Sequence, residues 1–360
     1  MLDLQSEQHP QYYRTKSFYG QPFIWCMLHN FGGTLGMHGS IRLVNSEIAR
    51  ASNMTNSTMI GVGITPEGIH QNYVVYEFAL EKAWTFKEIN HKKWIKYYSN
   101  VRYGFKSDEI EHAWLMLLKS VYKFEGLQNM RGKYTLCRRP SLRLKPWKWY
   151  DEKLVKKALF RFLNVAVSEP YQMNSLFTHD LVDICRQFMQ NQADSLYLDV
   201  INSYKKKDLT NFAMYSELFL ELLSDLDKLL GTHEHFMLGI FLESAKNVAI
   251  NDEEEKQYEF NARNQITLWG PEGEIIDYAT KQWQGIVADY YFPRWSLFFQ
   301  QLHSSLEHNI GFNQSQFQKL VYEKVELPFN NNVKIYQILP QGNFIHKIPI
   351  KNFHSYFKFK

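Results

Sequence analysis

The hydrophobic pattern changes once along the 360 residues. Near the front, short unbroken apolar runs alternate with amphipathic stretches. Residues 22–28, Pro-Phe-Ile-Trp-Cys-Met-Leu, form one run and end in His29-Asn30-Phe31-Gly32-Gly33. Residues 58–64, Thr-Met-Ile-Gly-Val-Gly-Ile, form another and end in Thr65-Pro66-Glu67-Gly68. Short apolar runs bounded by turn residues predict strands buried on both faces. Helices are predicted over 38–51 and 70–84, the second with Val74, Val75, Phe78 and Ala79 on one side. The order β-α-β-α predicts a parallel sheet.

From about residue 90 the strand signal fades and apolar positions recur at spacings of three and four. Helices are predicted over 107–123, 151–165, 175–206, 209–230, 235–250, 253–268, 274–289, 293–308 and 314–326. The stretch 209–230 is the clearest, with Phe212, Phe219, Leu222, Leu226 and Leu229 in register and Gly231 after it. Residues 127–150 have no clean period and read as an ordered loop carrying Arg138-Arg139-Pro140. The tail after residue 328 is left unassigned. The predicted fold class is therefore α/β followed by all-α, predominantly helical, with domains at 1–90 and 91–360.

Composition narrows the classes. With 45% apolar and 22% charged residues the chain has material for a sizeable core and is not a disordered polymer. A net charge of +4, spread along the chain, gives no argument for a nucleic-acid partner. No run approaches the roughly 20 apolar residues of a membrane span, and the first twenty residues hold no apolar signal core. Cys26, Cys137 and Cys185 match neither a disulfide framework nor a metal motif and are expected as buried thiols. No metal and no cofactor is expected: the histidines lack ligand spacing, and Gly61-x-Gly63 lacks the third glycine of a phosphate loop. Lys205-Lys206-Lys207 reads as a solvated helix end. The aromatic fraction, 16%, is high enough for both a core and a sugar-binding cleft.

The candidate chemistry lies at the strand ends, where parallel barrels carry their reactive groups. The first end presents His29, Asn30 and Phe31. The second presents Glu67, a candidate nucleophile or general acid/base. Its bland alternative is a surface-loop glutamate. A second Pro-Glu-Gly, at Pro271-Glu272-Gly273, falls between helices, so Glu272 and Trp269 read better as a pocket wall than as a catalytic pair with Glu67. His29 lies three residues from Cys26, on the opposite face of an extended strand, so cysteine catalysis is not supported. Glycosylation sequons occur at Asn53, Asn56 and Asn313. Two parallel strands alone have too little area to stand and cannot close a barrel. The expectation is that another chain or an earlier stretch of this one completes the sheet.

Four segments carry a resemblance: QPFIWCMLHNFGG (21–33), NSTMIGVGITPEGIHQNYVVYE (56–77), RRPSL (138–142) and ITLWGPEGEIIDYATKQWQGIVADYYFPRW (266–295). In these the chain resembles glycoside hydrolase family 89, the α-N-acetylglucosaminidases. The resemblance implies the last two βα units of a (β/α)8 barrel followed by a C-terminal helical-bundle domain lining the cleft. It implies a retaining exo-glycosidase that removes terminal non-reducing α-linked N-acetylglucosamine from heparan sulfate-type glycans in the lysosome. It implies Glu67 as nucleophile, with Leu28, Phe31, Trp269, Ile275 and Tyr278 lining the substrate pocket. The family's general acid/base has no counterpart in this sequence, so the chain alone is expected to be inactive. The stretch 122–133 also lacks the cysteine pair of vertebrate members. A rival reading is a non-catalytic helical binding or scaffold module, or a truncated isoform; homo-oligomer formation stays open.

Overall fold

The computed structural model describes residues 1–124 and 134–342. Residues 125–133, which include the start of the loop predicted over 127–150, and the tail from residue 343 lie outside the described residues. The chain divides into two compact units, Met1–Gly132 with Lys148–Ile184, and Lys133–Trp147 with Cys185–Lys360.

The first unit holds a three-stranded parallel sheet in the order β1 (Leu2–Asp3), β2 (Phe23–Met27), β3 (Met59–Ile64). Leu2 pairs with Ile24, and Met27 pairs with Ile64. The apolar pattern predicts only two of these strands; β1 is two residues long, too short for a periodic signal. The central strand β2 is buried as predicted, with Phe23 and Trp25 fully inaccessible. β3 is not: its positions are half-buried and Ile60 is 67% exposed, because β3 forms an edge of the sheet among the described residues.

Short α1 (Gln11–Arg14) precedes β2, and α2 (Ile41–Asn53) and α3 (Tyr73–Glu81) follow β2 and β3. Then come α4 (His91–Tyr103), for which the sequence pattern gives no separate prediction, α5 (Asp108–Leu118) and α6 (Glu152–Ser168). Side-chain caps set their starts: Ser40, Asn90, Ser107 and Asp151 accept from first-turn N–H groups of α2, α4, α5 and α6. Phe78, Trp94, Tyr98 and Trp114 form a ladder with ring spacings of 4.8, 5.3 and 5.1 Å. Arg102 binds Asp180 through two hydrogen bonds at 2.6 and 2.9 Å inside this core. Burial alone would raise the Asp180 carboxyl, but the guanidinium holds it well below the usual range.

The helix α7 (Ser175–Lys206) matches its predicted limits and has residues in both units. Lys205 and Lys206 end it on an exposed turn. In the second unit follow α8 (Leu209–Leu230), α9 (Leu238–Lys246), α10 (Asp252–Gln265), α11 (Phe292–Glu307), α12 (Gln314–Val321) and α13 (Leu327–Asn330). Asp208 caps α8, and Gly231 ends it as the sequence pattern suggests. Trp295 centres the core, with Phe219 at 4.7 Å and Tyr197 at 5.8 Å between ring centroids. All three cysteines are buried thiols. Among the described residues no helix is long and apolar enough to cross a membrane.

The helix predicted over 274–289 is absent. Within it Asp277 and Gly285 have positive φ, which no right-handed helix accommodates, and Gly273 just before it does too. The helical path starts only at the π-turn Val287–Tyr291, which runs into α11.

Candidate active site

The loops after β2 and β3 meet at the C-terminal end of the sheet. Pairing continues past the strands, since Thr65 N–H donates to Met27 O at 2.9 Å and Glu67 N–H to Asn30 O at 3.1 Å. Glu67 is exposed at this end, and its Oε2 accepts the main-chain N–H of Gly32 at 2.6 Å. An N–H bond of that length to a carboxylate is charge-assisted and fixes the rotation of the group. Leu28 and Phe31, on the loop after β2, are half-buried.

His29 and Asn30 do not face outward as expected. His29 has φ 58° and is 2% exposed; Asn30 is 1% exposed and donates to Thr34 O. The chain turns left-handed at His29 and carries its ring inward, onto His38 at 4.4 Å and against the edge of Tyr76. Burial, with a smaller contribution from His38, pushes the His29 pKa well below its ordinary value, so the ring is neutral. Below the loop, buried Glu7 accepts N–H groups from Leu28 and His29, the latter at 2.7 Å. Burial raises the Glu7 pKa, with these N–H bonds opposing it. Asn72 accepts from His38 N–H at 3.0 Å and donates to Gly36 O at 2.8 Å. Tyr76 donates its hydroxyl to Gly68 O at 3.1 Å. Sequence reasoning does not find Glu7, His38, Asn72 and Tyr76, because their role depends on burial rather than on a motif. Cys26 is buried in β2 and burial raises its thiol pKa, the direction opposite to an activated thiolate.

Trp269, Ile275 and Tyr278 come together within the second unit. Trp269 has φ 51° and meets Tyr278 edge-on at 5.2 Å. Ile275 is 48% exposed, and its carbonyl accepts from Tyr278 N–H at 3.1 Å. Glu272 lies on the same exposed turn. The turn is anchored by Asp277, whose carboxylate accepts both Nη groups of Arg294 at 2.9 Å and the main-chain N–H of Arg139. Arg139 and Arg294 both reach the fully buried Glu326. The Arg138-Arg139-Pro140 loop is thus recognisable from sequence as ordered, but its carboxylate partners are not. Trp269 also edges an open groove of about 840 Å³ lined by Phe241, Tyr258, Phe260 and Asn264. Of the sequon asparagines, Asn53 is the last residue of α2, Asn56 lies in the following turn, and Asn313 caps α12; all three are exposed.

Family models match nearly the whole chain. The model of the alpha-N-acetylglucosaminidase (NAGLU) tim-barrel domain matches residues 1–86, and that of its C-terminal domain matches residues 94–349. The chain belongs to the α-N-acetylglucosaminidase family of glycoside hydrolases. It is 40% identical to human alpha-N-acetylglucosaminidase over 349 residues, which is 96% of this chain and 46% of the human protein. The chain thus spans about half the length of the curated relative it matches. It is also similar in structure to a family 89 glycoside hydrolase from Clostridium perfringens in complex with 2-acetamido-1,2-dideoxynojirmycin. That match has a TM-score of 0.90 and 29% identity, covering 99% of this chain and 41% of the other. A form of the Clostridium enzyme with two glutamates replaced by glutamine, bound to its substrate GlcNAc-alpha-1,4-galactose, matches with a TM-score of 0.89 and 28% identity. That match again covers 99% of this chain and 41% of the other. These likenesses support a TIM-barrel part followed by a helical part for this α-N-acetylglucosaminidase family member, in keeping with its small parallel sheet and many helices.

Proposed function

We propose that this chain supplies the nucleophile and the pocket wall of a retaining exo-glycosidase that removes terminal non-reducing α-linked N-acetylglucosamine. Glu67 is the nucleophile. The observation that carries this is the exposed Glu67 carboxylate, just past a parallel strand and held by a main-chain N–H of the neighbouring strand's loop. In the double displacement, Glu67 attacks the anomeric carbon, and a second carboxyl about 5 Å away protonates the leaving oxygen. Water then releases the glycosyl-enzyme with that second group acting as base. Leu28 and Phe31 border the nucleophile, while Trp269, Ile275 and Tyr278 offer apolar faces on which a sugar ring stacks.

The finer assignments follow the family resemblance. The domains divide at residue 90, the glycan is of the heparan sulfate type, and the compartment is the lysosome. Asn53, Asn56 and Asn313 are exposed as glycan acceptors need to be. The 360 residues do not turn over by themselves, because the three strands among the described residues do not close a barrel and the second carboxyl comes from elsewhere in the whole enzyme.

Release of 4-nitrophenol from its α-N-acetylglucosaminide tests the reading. The purified chain should be inactive. In the whole enzyme Glu67→Gln should abolish turnover with the melting temperature preserved. Retained turnover in Glu67→Gln overturns the nucleophile assignment, and turnover by the chain alone overturns the claim of dependence.

A further inference from the structure

We infer that Gly68 is a positioning residue, needed because the turn after β3 is pressed backbone to backbone onto the turn after β2; this rests on the reading of Glu67 as nucleophile. A Cβ added at Gly68 would lie 2.6 Å from Gly33 Cα and 3.4 Å from Gly33 N. Contacts below 3.0 Å are not made by real Cβ atoms, and the obstacle here is main chain, which has no rotamer to escape into. The requirement is one of space, since Gly68 is not among the glycines with positive φ. Gly32 and Gly33, by contrast, have φ of 67° and 64°, so the opposing turn depends on glycine for its conformation.

Gly68 cannot retreat without loss either. Its carbonyl accepts from the Gln71 side-chain amide at 2.9 Å and from the Tyr76 hydroxyl at 3.1 Å. The opposing loop is held from below by Glu7, on Leu28 and His29 N–H. The two turns are thus squeezed from both sides, and the Gly32 N–H to Glu67 Oε2 bond at 2.6 Å spans the contact. One added methyl at 68 would drive the turns apart and carry Gly32 off the carboxylate. A displacement of about 1 Å at a reacting group costs roughly 10²-fold in rate. Gly61, on the same strand, has open space where a Cβ would go, with nothing within 4 Å, and provides the matched control.

The experiment compares Gly68→Ala with Gly61→Ala, with Glu67→Gln as reference. In the chain labelled with ¹⁵N-glycine, the Gly32 amide should shift with ionisation of Glu67 in the parent and in Gly61→Ala. That titration should vanish in Gly68→Ala and in Glu67→Gln. In the hydrolysing enzyme, Gly68→Ala should lower kcat about 10²-fold with KM within a few-fold. A Gly68→Ala protein that keeps both the Gly32 titration and the parental kcat overturns the inference. Retained turnover in Glu67→Gln overturns the nucleophile reading instead, whatever Gly68→Ala does. Should alanine at 68 prevent folding, Tyr76→Phe removes one donor from Gly68 O without adding an atom. It should then weaken the Gly32 titration, and an unchanged titration refutes the positioning role.

Discussion

Asp277→Asn tests whether the turn carrying Trp269, Ile275 and Tyr278 is held by buried charge. Asp277, Glu326, Arg139 and Arg294 form a cluster of two carboxylates and two guanidinium groups. Arg294 and Glu326 have no side-chain exposure, Asp277 has 11% and Arg139 has 20%. The substitution preserves the shape of Asp277 but removes one charge, and it turns one acceptor of the bidentate Arg294 pair into a donor facing a donor. Removing one partner of a buried pair costs about 3–5 kcal/mol. The remaining acceptor and the partial exposure place this case near the lower end, about 3 kcal/mol. For a body of this size that is a fall in Tm of roughly 6–12 °C. Thermal unfolding followed by circular dichroism reads it directly, and the double variant Asp277→Asn with Arg294→Met completes a cycle. Removing both charged partners should cost less than the sum of the single changes, because no guanidinium is left inside without its acceptor. A loss below about 1 kcal/mol for Asp277→Asn, or strictly additive effects, would refute the reasoning.

Asp227 gives a pH prediction. Burial pushes its carboxyl from 3.8 up to about 6, opposed by Gly285 and Ala288 N–H groups that both donate to Oδ1. A raised folded-state pKa contributes stability that is full below 3.8 and is lost as pH rises through about 6, a loss of about 3 kcal/mol. Asp227→Asn keeps Oδ1 and both donors, so it should flatten the Tm profile between about pH 4 and 7 and exceed the parent at about pH 7; an unchanged slope counts against it. Gly239 is the second case. A Cβ there would lie 2.2 Å from Gln337 O, while Arg263 binds Lys334 O and Gly231 O accepts from Gln341 N–H. Gly239→Ala should lift residues 334–341 at a cost of about 1–3 kcal/mol and speed tryptic cleavage after Lys334, which unaltered cleavage kinetics would rule out.

What the sequence discloses about this molecule depends on how far each signal reaches along the chain. The helix α8 is legible to the residue because its period and its Gly231 stop are local. The strand β1 is not, since two residues become a strand only through Ile24 and Trp25 more than twenty positions later. The failed helix over 274–289 has the same origin: its apolar spacing is helical, but Asp277 and Gly285 inside it take positive φ, and Arg294 together with Arg139 holds the turn at Asp277. The site divides along the same line. Glu67 is readable because a strand, a proline and a glutamate are neighbours in sequence. Glu7 and Tyr76 support that carboxylate's loops through burial and hydrogen bonds; Glu7 lies outside every quoted segment, and Tyr76, though inside 56–77, shows no role until its hydroxyl is seen to meet Gly68 O. A glycosidase nucleophile must sit within a fraction of an ångström of its productive position. Substitutions at these supports should therefore lower kcat by about 10²-fold, short of the complete loss expected for Glu67→Gln.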